Sequence, residues 1–244
     1  MNPPQTGGAG GNYLLSLVIP TYNECGNIEP LVSRLELALA HRSWEVLFVD
    51  DDSPDGTAAA VLQAAASRSN VRCLSRVGRR GLTSACLEGF AATQGRFIGV
   101  MDADLQHDES LLPRMLDILE AGEVELVVAS RYATGGSTGD FPLPRRLISH
   151  AGTWFARILL GIGLSDPMSG FFMFRREALE RSAVGNVSGG GFKILMDLVV
   201  STRPALTFRE LPFTFRPRHS GHSKFNAAIG LEFMRAIVKR RFER

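Results

Sequence analysis

The chain has 244 residues, 45% of them hydrophobic and 21% charged, which is the make-up of one globular domain and excludes general disorder. Three cysteines, Cys25, Cys73 and Cys86, stand at no metal-ligand spacing, so a disulfide scaffold is excluded and a reducing compartment is expected. The net charge of +2 is uneven: Arg203 to Arg244 hold ten Lys or Arg and three Asp or Glu, a local +7, and the other 202 residues sum to −5.

Residues 1–12 are polar and rich in glycine and proline, and read as a flexible tail without a secretory signal. Leu14 to Pro20 reads as a buried strand, and Ile28, Leu31, Val32, Leu35 and Leu39 recur at helical spacing. Glu45 to Asp50 is a second strand. Ser53 to Thr57 is a turn into an alanine-rich helix with Val61, Leu62, Ala65 and Ala66 on one side. Val71–Ser75 is a short strand, Ser84–Thr93 a helix and Arg96–Met101 a strand. Leu111, Leu112, Met115, Ile118 and Leu119 mark a helix, and Glu125–Ala129 is a strand. Repeated strand–helix units predict an α/β fold, a mostly parallel sheet flanked by helices.

The second half reads differently. Residues 132–145 are glycine- and proline-rich and predict a loop that acts as a lid. Leu147, Ala151, Trp154, Phe155, Ile158 and Ile162 form one face of an amphipathic helix, with His150, Thr153 and Arg157 on the other. A last basic amphipathic helix is expected over residues 227–244. No apolar run reaches the roughly 18 residues of a membrane span. The basic end suits phosphates or an anionic membrane surface. It carries no zinc or helix-turn-helix signature, so nucleic acid is not the expected partner.

Ligands of such sheets bind at the carboxyl ends of strands. Thr21-Tyr-Asn-Glu24, Asp50-Asp-Asp52 and Asp102-Ala-Asp104 all fall there and form one rim. Asp102 and Asp104 offer paired oxygen ligands for Mg2+ or Mn2+, which bridge to substrate phosphates, and Gln106 adds a further oxygen. Taken alone, that pair is more readily a turn or helix cap. Asp51 can accept from a base N–H, and Asp50 can serve the sheet edge or a ribose hydroxyl. No Gly-x-Gly-x-x-Gly or Walker loop follows the first strand, which excludes dinucleotide dehydrogenases and P-loop NTPases. Arg131 follows the fifth strand directly, and Arg145, Arg218 and Lys224 sit in loops where cations can meet phosphate.

Together these residues resemble glycosyltransferase family 2, enzymes of the GT-A fold, and within it the dolichol-phosphate (polyprenol-phosphate) mannose synthases. The motifs are Ile19-Pro-Thr-Tyr-Asn-Glu24, Val49-Asp-Asp-Asp-Ser-Pro-Asp-Gly56 and Met101-Asp-Ala-Asp-Leu-Gln-His107. Ser130-Arg-Tyr132, Asp166-Pro-Met-Ser-Gly-Phe-Phe172, Gly191-Phe-Lys-Ile-Leu195 and Gly221-His-Ser-Lys224 follow in family order.

The resemblance implies a GT-A domain over residues 13–226 with C-terminal amphipathic helices. Pro20, Tyr22, Glu24, Val49 and Asp51 would hold the donor nucleoside. Asp102, Ala103, Asp104 and Gln106 would surround metal and diphosphate. Arg131 would contact donor phosphate or sugar, and Arg145, Arg218 and Lys224 would gather the acceptor phosphate. Asp104, Arg131, Arg218 and Lys224 are thereby the catalytic set. The implied reaction is inverting transfer of a hexose, mannose from GDP-mannose, to a polyprenyl or dolichyl monophosphate. The implied setting is the cytoplasmic face of a membrane, held peripherally, with room for a membrane-anchoring partner subunit. Transfer of glucose from a UDP-sugar to undecaprenyl phosphate is the alternative, and a non-catalytic sugar-nucleotide binding module the next. A phosphohydrolase would want its Asp-x-Asp after the first strand, and a nucleotidyltransferase a glycine-rich basic loop there. Asp197 is the best candidate should the acceptor be a sugar hydroxyl needing a base, although its helical pattern favours a structural role. Thr83 and Phe225 depart mildly from the family pattern.

Overall fold

The structure, a computed structural model, describes residues 13–139, 152–158, 161–184 and 194–217. Seven strands form one sheet: β1 (Leu15–Thr21), β2 (Trp44–Asp50), β3 (Val71–Ser75), β4 (Phe97–Val100), β5 (Leu126–Ser130), β6 (Phe172–Arg175) and β7 (Phe208–Pro212). Their spatial order is β3-β2-β1-β4-β6-β5-β7. All neighbouring pairs are parallel except those of β6, which runs antiparallel between β4 and β5. The helices are α1 (Ile28–Ala38), α2 (Thr57–Ala65), α3 (Leu82–Ala91), α4 (Leu112–Glu120), α5 (152–158), α6 (Arg176–Glu180) and α7 (Ile194–Ser201).

Every residue of β2 and β5 is buried, as apolar strands covered on both faces must be. Leu15, Leu17 and Ile19 of β1 pack with α1, α2 and α4 in one layer. Val18 points the other way and packs with α3, α6 and α7. The alternation along one strand thus serves two cores. The predicted mostly parallel sheet with helices on both sides is what forms, and the five strands read from the first half are all present.

Three local readings need correction. β6 and β7 were not foreseen: β7 is an edge strand whose Phe208, Arg209 and Pro212 are exposed, so it lacks the apolar alternation that marks a buried strand. On α2 the inner face is Thr57, Val61 and Ala64, while Leu62 is 48% exposed. On α5, Thr153 and Ala156 face inward, whereas Trp154 is 65% exposed and Ile158 59%. Phe155 packs at the edge of the core beside Ala156, and of the large apolar side chains only Trp154 and Ile158 turn outward. Leu147, His150 and Ala151 lie outside the described residues, as do the segments 1–12, 140–145 and 227–244.

Candidate functional site

The parallel order β2-β1-β4 brings three carboxyl ends side by side, and the register pairs Thr21 with Asp50 at the rim. Each following loop turns through a left-handed residue other than glycine: Asn23 (φ 56°), Asp52 (φ 57°) and Leu105 (φ 61°). Asn and Asp tolerate this conformation, but for leucine it costs about 1–2 kcal/mol. The strain at Leu105 sits directly after Asp104, and its side chain is buried in the core.

A cleft of about 360 Å3 opens at this rim, lined by Pro20, Tyr22, Glu24, Asp51, Asp102, Ala103 and Asp104 together with Thr21, Arg80, Gly81 and Leu82. Val49 is fully buried in the β2 core and is not in the lining, so the structure gives it a packing place.

The three aspartates after β2 divide the work. Asp50 closes the turn: its Oδ1 accepts from Ser53 Oγ at 2.6 Å and Thr21 Oγ1 at 3.3 Å, and its Oδ2 from Ser53 N–H at 3.1 Å. Asp52 accepts from Gly78 N–H at 3.2 Å. Asp51 accepts from Gly81 N–H through Oδ2 at 2.7 Å and pairs with Arg76 through Oδ1. Arg76 is almost wholly buried and also reaches Glu88 at 3.1 Å and Ser84 Oγ at 2.6 Å. A carboxylate accepts about four hydrogen bonds, so these contacts leave Asp51 capacity for a base N–H. They also fasten the loop bearing Arg80 and Gly81 to the cleft wall.

Asp104 takes a turn-closing bond from Gln106 N–H at 3.1 Å while lining the cleft. Capping and ligation are thus compatible at this position. The Asp102 side chain is 43% exposed and meets His107 Nε2 at 3.1 Å. Gln106 does not line the cleft; its Nε2 donates to Arg216 O at 2.9 Å. Among the described residues no three His, Cys, Asp or Glu side chains form a closed metal cage. The two carboxylates that line the cleft are an incomplete oxygen set, which suits Mg2+ or Mn2+, ions that keep waters and take substrate phosphates as ligands.

Arg131 extends from the end of β5 and is clamped by Asp166, with Nε to Oδ2 at 2.7 Å and Nη2 to Oδ1 at 2.8 Å. Burial works against the guanidinium charge, but the Asp166 bonds outweigh it and hold its pKa above the ordinary arginine value. Arg131 is not in the cleft lining. Asp197 is buried on α7, also away from the lining. Arg145, Arg218 and Lys224 lie outside the described residues.

Residues 16–182 match the sequence profile of "Glycosyl transferase family 2". The chain belongs to glycosyl transferase family 2. It is 37% identical over 227 residues to a dolichol-phosphate mannosyltransferase of Pyrococcus furiosus, covering 92% of this chain but 63% of that protein. It therefore spans less than two thirds of that relative. It is 35% identical to the enzyme of the same name from Saccharomyces cerevisiae, covering 91% of this chain and 85% of that one. The polyprenol monophosphomannose synthase of Mycolicibacterium smegmatis is also 35% identical, with 91% and 85% covered. Among solved structures, glucosyl-3-phosphoglycerate synthase from Mycobacterium tuberculosis, in complex with Mn2+, UDP and glucosyl-3-phosphoglycerate, superposes with a TM-score of 0.71 at 20% identity. That match covers 94% of this chain and 80% of the other. The fold is the GT-A fold expected from the sequence.

In this family 2 glycosyltransferase, three cleft residues, Arg80, Gly81 and Leu82, escaped the sequence reading. The Arg80 guanidinium lies 4.3 Å from the Tyr22 ring centroid, a cation–π contact between two residues of the cleft lining. Leu82 opens α3 beside it. The Arg79-Arg-Gly-Leu82 run was visible in the sequence, but basic surface residues are common and only the fold shows that this loop reaches β1. Thr83, noted as a family departure, is buried at the first turn of α3 and is not part of the lining.

Proposed function

We propose that this chain transfers mannose from GDP-mannose to a polyprenyl or dolichyl monophosphate, with inversion at the anomeric carbon. The observation that carries the reading is one cleft lined by Tyr22, Asp51, Asp102 and Asp104, from the neighbouring ends of β1, β2 and β4. The names of the relatives at 35–37% identity supply the sugar and the lipid. Tyr22 and Asp51 hold the nucleoside, and Asp102, Asp104 and Gln106 hold Mg2+ or Mn2+ against the diphosphate. When bound, the divalent cation neutralises charge on the departing nucleoside diphosphate.

A lipid phosphate is ionised at neutral pH, so its oxygen attacks without a strong general base. The buried position of Asp197 away from the cleft is consistent with that economy. Two anionic substrates need fixed cations instead. Arg131, its charge secured by Asp166, supplies one on the donor side. Arg145, Arg218 and Lys224 supply the acceptor side.

The apolar acceptor calls for a membrane surface. No helix among the described residues is long and apolar enough to cross a membrane. We read the chain as peripheral on the cytoplasmic face, with the exposed Trp154 and Ile158 of α5 entering the interface and a membrane-anchoring subunit as a further partner.

Calorimetric titration with GDP-mannose and UDP-glucose in the presence of Mn2+ tests the donor assignment. Tighter binding of GDP-mannose supports it; equal binding, or preference for UDP-glucose, discards mannose.

A further inference from the structure

We propose that His107 is a positioning residue for Asp102, holding that carboxylate in the orientation a divalent cation requires; this rests on the reading of Asp102 as a metal ligand. His107 is 2% exposed and stands outside the cleft lining. Its Nε2 lies 3.1 Å from Asp102 Oδ2. A carboxylate oxygen only accepts, so Nε2 carries the proton. In the neutral ring Nδ1 is then a bare lone pair.

The surroundings fit that tautomer. Phe171, Phe213 and Phe215 enclose the imidazole, with ring centroids at 5.3, 5.6 and 5.6 Å. Nδ1 is buried and has no hydrogen-bond partner among the described residues. An N–H at Nδ1 would be a buried donor without an acceptor, which costs about 1–3 kcal/mol. The aromatic cage thereby selects the tautomer that donates to Asp102. Since Nε2 is committed to Asp102 and Nδ1 to the cage, neither ring nitrogen serves as a metal ligand itself.

Asp102 is also confined from the other direction. A Cβ added at Gly170 would stand 2.7 Å from Asp102 Oδ2 and 3.1 Å from its Cγ, so a side chain there would displace the carboxylate from this orientation. The half-exposed carboxylate is thus boxed between a caged imidazole and a glycine. An N–H donor behind a ligating carboxylate fixes its rotamer, and losing such a partner typically lowers metal affinity by about 10–100-fold.

The test is Mn2+ binding, read from the free-ion electron paramagnetic resonance signal, with GDP present and no acceptor. Four proteins are compared: wild type, His107→Leu, His107→Gln and Asp102→Asn. Leucine keeps the cage apolar and removes the donor, and glutamine places an amide N–H near the position of Nε2. The proposal expects His107→Leu to weaken Mn2+ binding about tenfold or more, and His107→Gln to recover part of the loss. Wild-type affinity in His107→Leu, with Asp102→Asn defective, overturns the positioning role and leaves the metal site standing. Wild-type affinity in Asp102→Asn overturns the metal reading itself, and the proposal with it. Should His107→Leu fail to fold, the 15N spectrum of wild-type imidazole decides: protonation at Nε2 alone supports the proposal, and protonation at Nδ1 alone overturns it.

Discussion

Gln106 and Arg216 hold each other across the chain: the Arg216 N–H donates to the Gln106 carbonyl at 3.0 Å, and Gln106 Nε2 donates to the Arg216 carbonyl at 2.9 Å. The Arg216 guanidinium adds bonds to Asp108 at 2.7 Å and Glu109 at 2.8 Å. The segment just before Arg218 is therefore fastened to the segment just after Asp104. Replacing Gln106 with leucine removes the side-chain half of this link. The expected result is a several-fold rise in KM for the lipid phosphate, from the lost link to Arg216, together with a rise in KM for the donor, from the lost metal oxygen. A rise in the donor KM alone, with the lipid-phosphate KM unchanged, would confine Gln106 to the donor site.

The Arg131–Asp166 pair supports a stability prediction. Asp166 is fully buried, and Arg131 nearly so. Asp166→Asn keeps the shape but leaves a buried guanidinium without its counter-charge, a change that costs about 3–5 kcal/mol. Urea unfolding should show a lowered midpoint with an unchanged slope. A midpoint equal to wild type would mean that solvent already screens Arg131.

Most of the fold was legible in the sequence, because β1, β2, β4 and β5 are apolar runs and α1 and α4 carry unbroken helical periodicity. The rim was legible for a different reason: three polar clusters each followed an apolar strand. What escaped depends on tertiary contact. Edge strand β7 carries exposed charges in place of alternation. The buried positions of α5 hold small residues, so the exposed Trp154 and Ile158 misdirect the reading. Arg76 and Arg80 look like surface charge until the fold sets one against Asp51 and the other over Tyr22. Val49 sits in a site motif yet packs in the core, because it lies within β2 under α3, whereas Asp51 stands just past the strand end.

Asp55 gives the pH dependence. Partial burial opposes its charge, but the Thr57 hydroxyl and the backbone N–H groups of Cys25 and Thr57 outweigh that and hold its pKa below the ordinary carboxylate value. A depressed folded-state pKa contributes stability above the unfolded value of about 3.9, and that contribution is lost as pH falls through the lower folded value. The stability gap between wild type and Asp55→Asn should be constant near neutrality and close in the acid range, below about pH 4. Thermal melts across that range read it directly. A gap that persists undiminished in acid would remove the charge from the account of this turn.

The outward face of α5 makes a prediction about membranes. Trp154 and Ile158 are 65% and 59% exposed, with Arg157 between them. Burying apolar side chains of this size contributes about 1.5–3 kcal/mol each when complete. Trp154→Ser with Ile158→Ser should lower sedimentation with anionic vesicles by roughly tenfold or more, allowing for partial insertion, while donor binding stays intact. Unchanged sedimentation would move the membrane contact elsewhere.

The central claim is transfer of mannose to a lipid phosphate. The most direct measurement incubates the purified chain with Mn2+, a short polyprenyl phosphate and sugar-labelled GDP-mannose or UDP-glucose, then counts label in the extracted lipid. The account predicts label in lipid from GDP-mannose, dependent on the polyprenyl phosphate and lost in Asp104→Ala. Label from UDP-glucose alone would contradict the sugar, and undiminished transfer by Asp104→Ala would contradict the site.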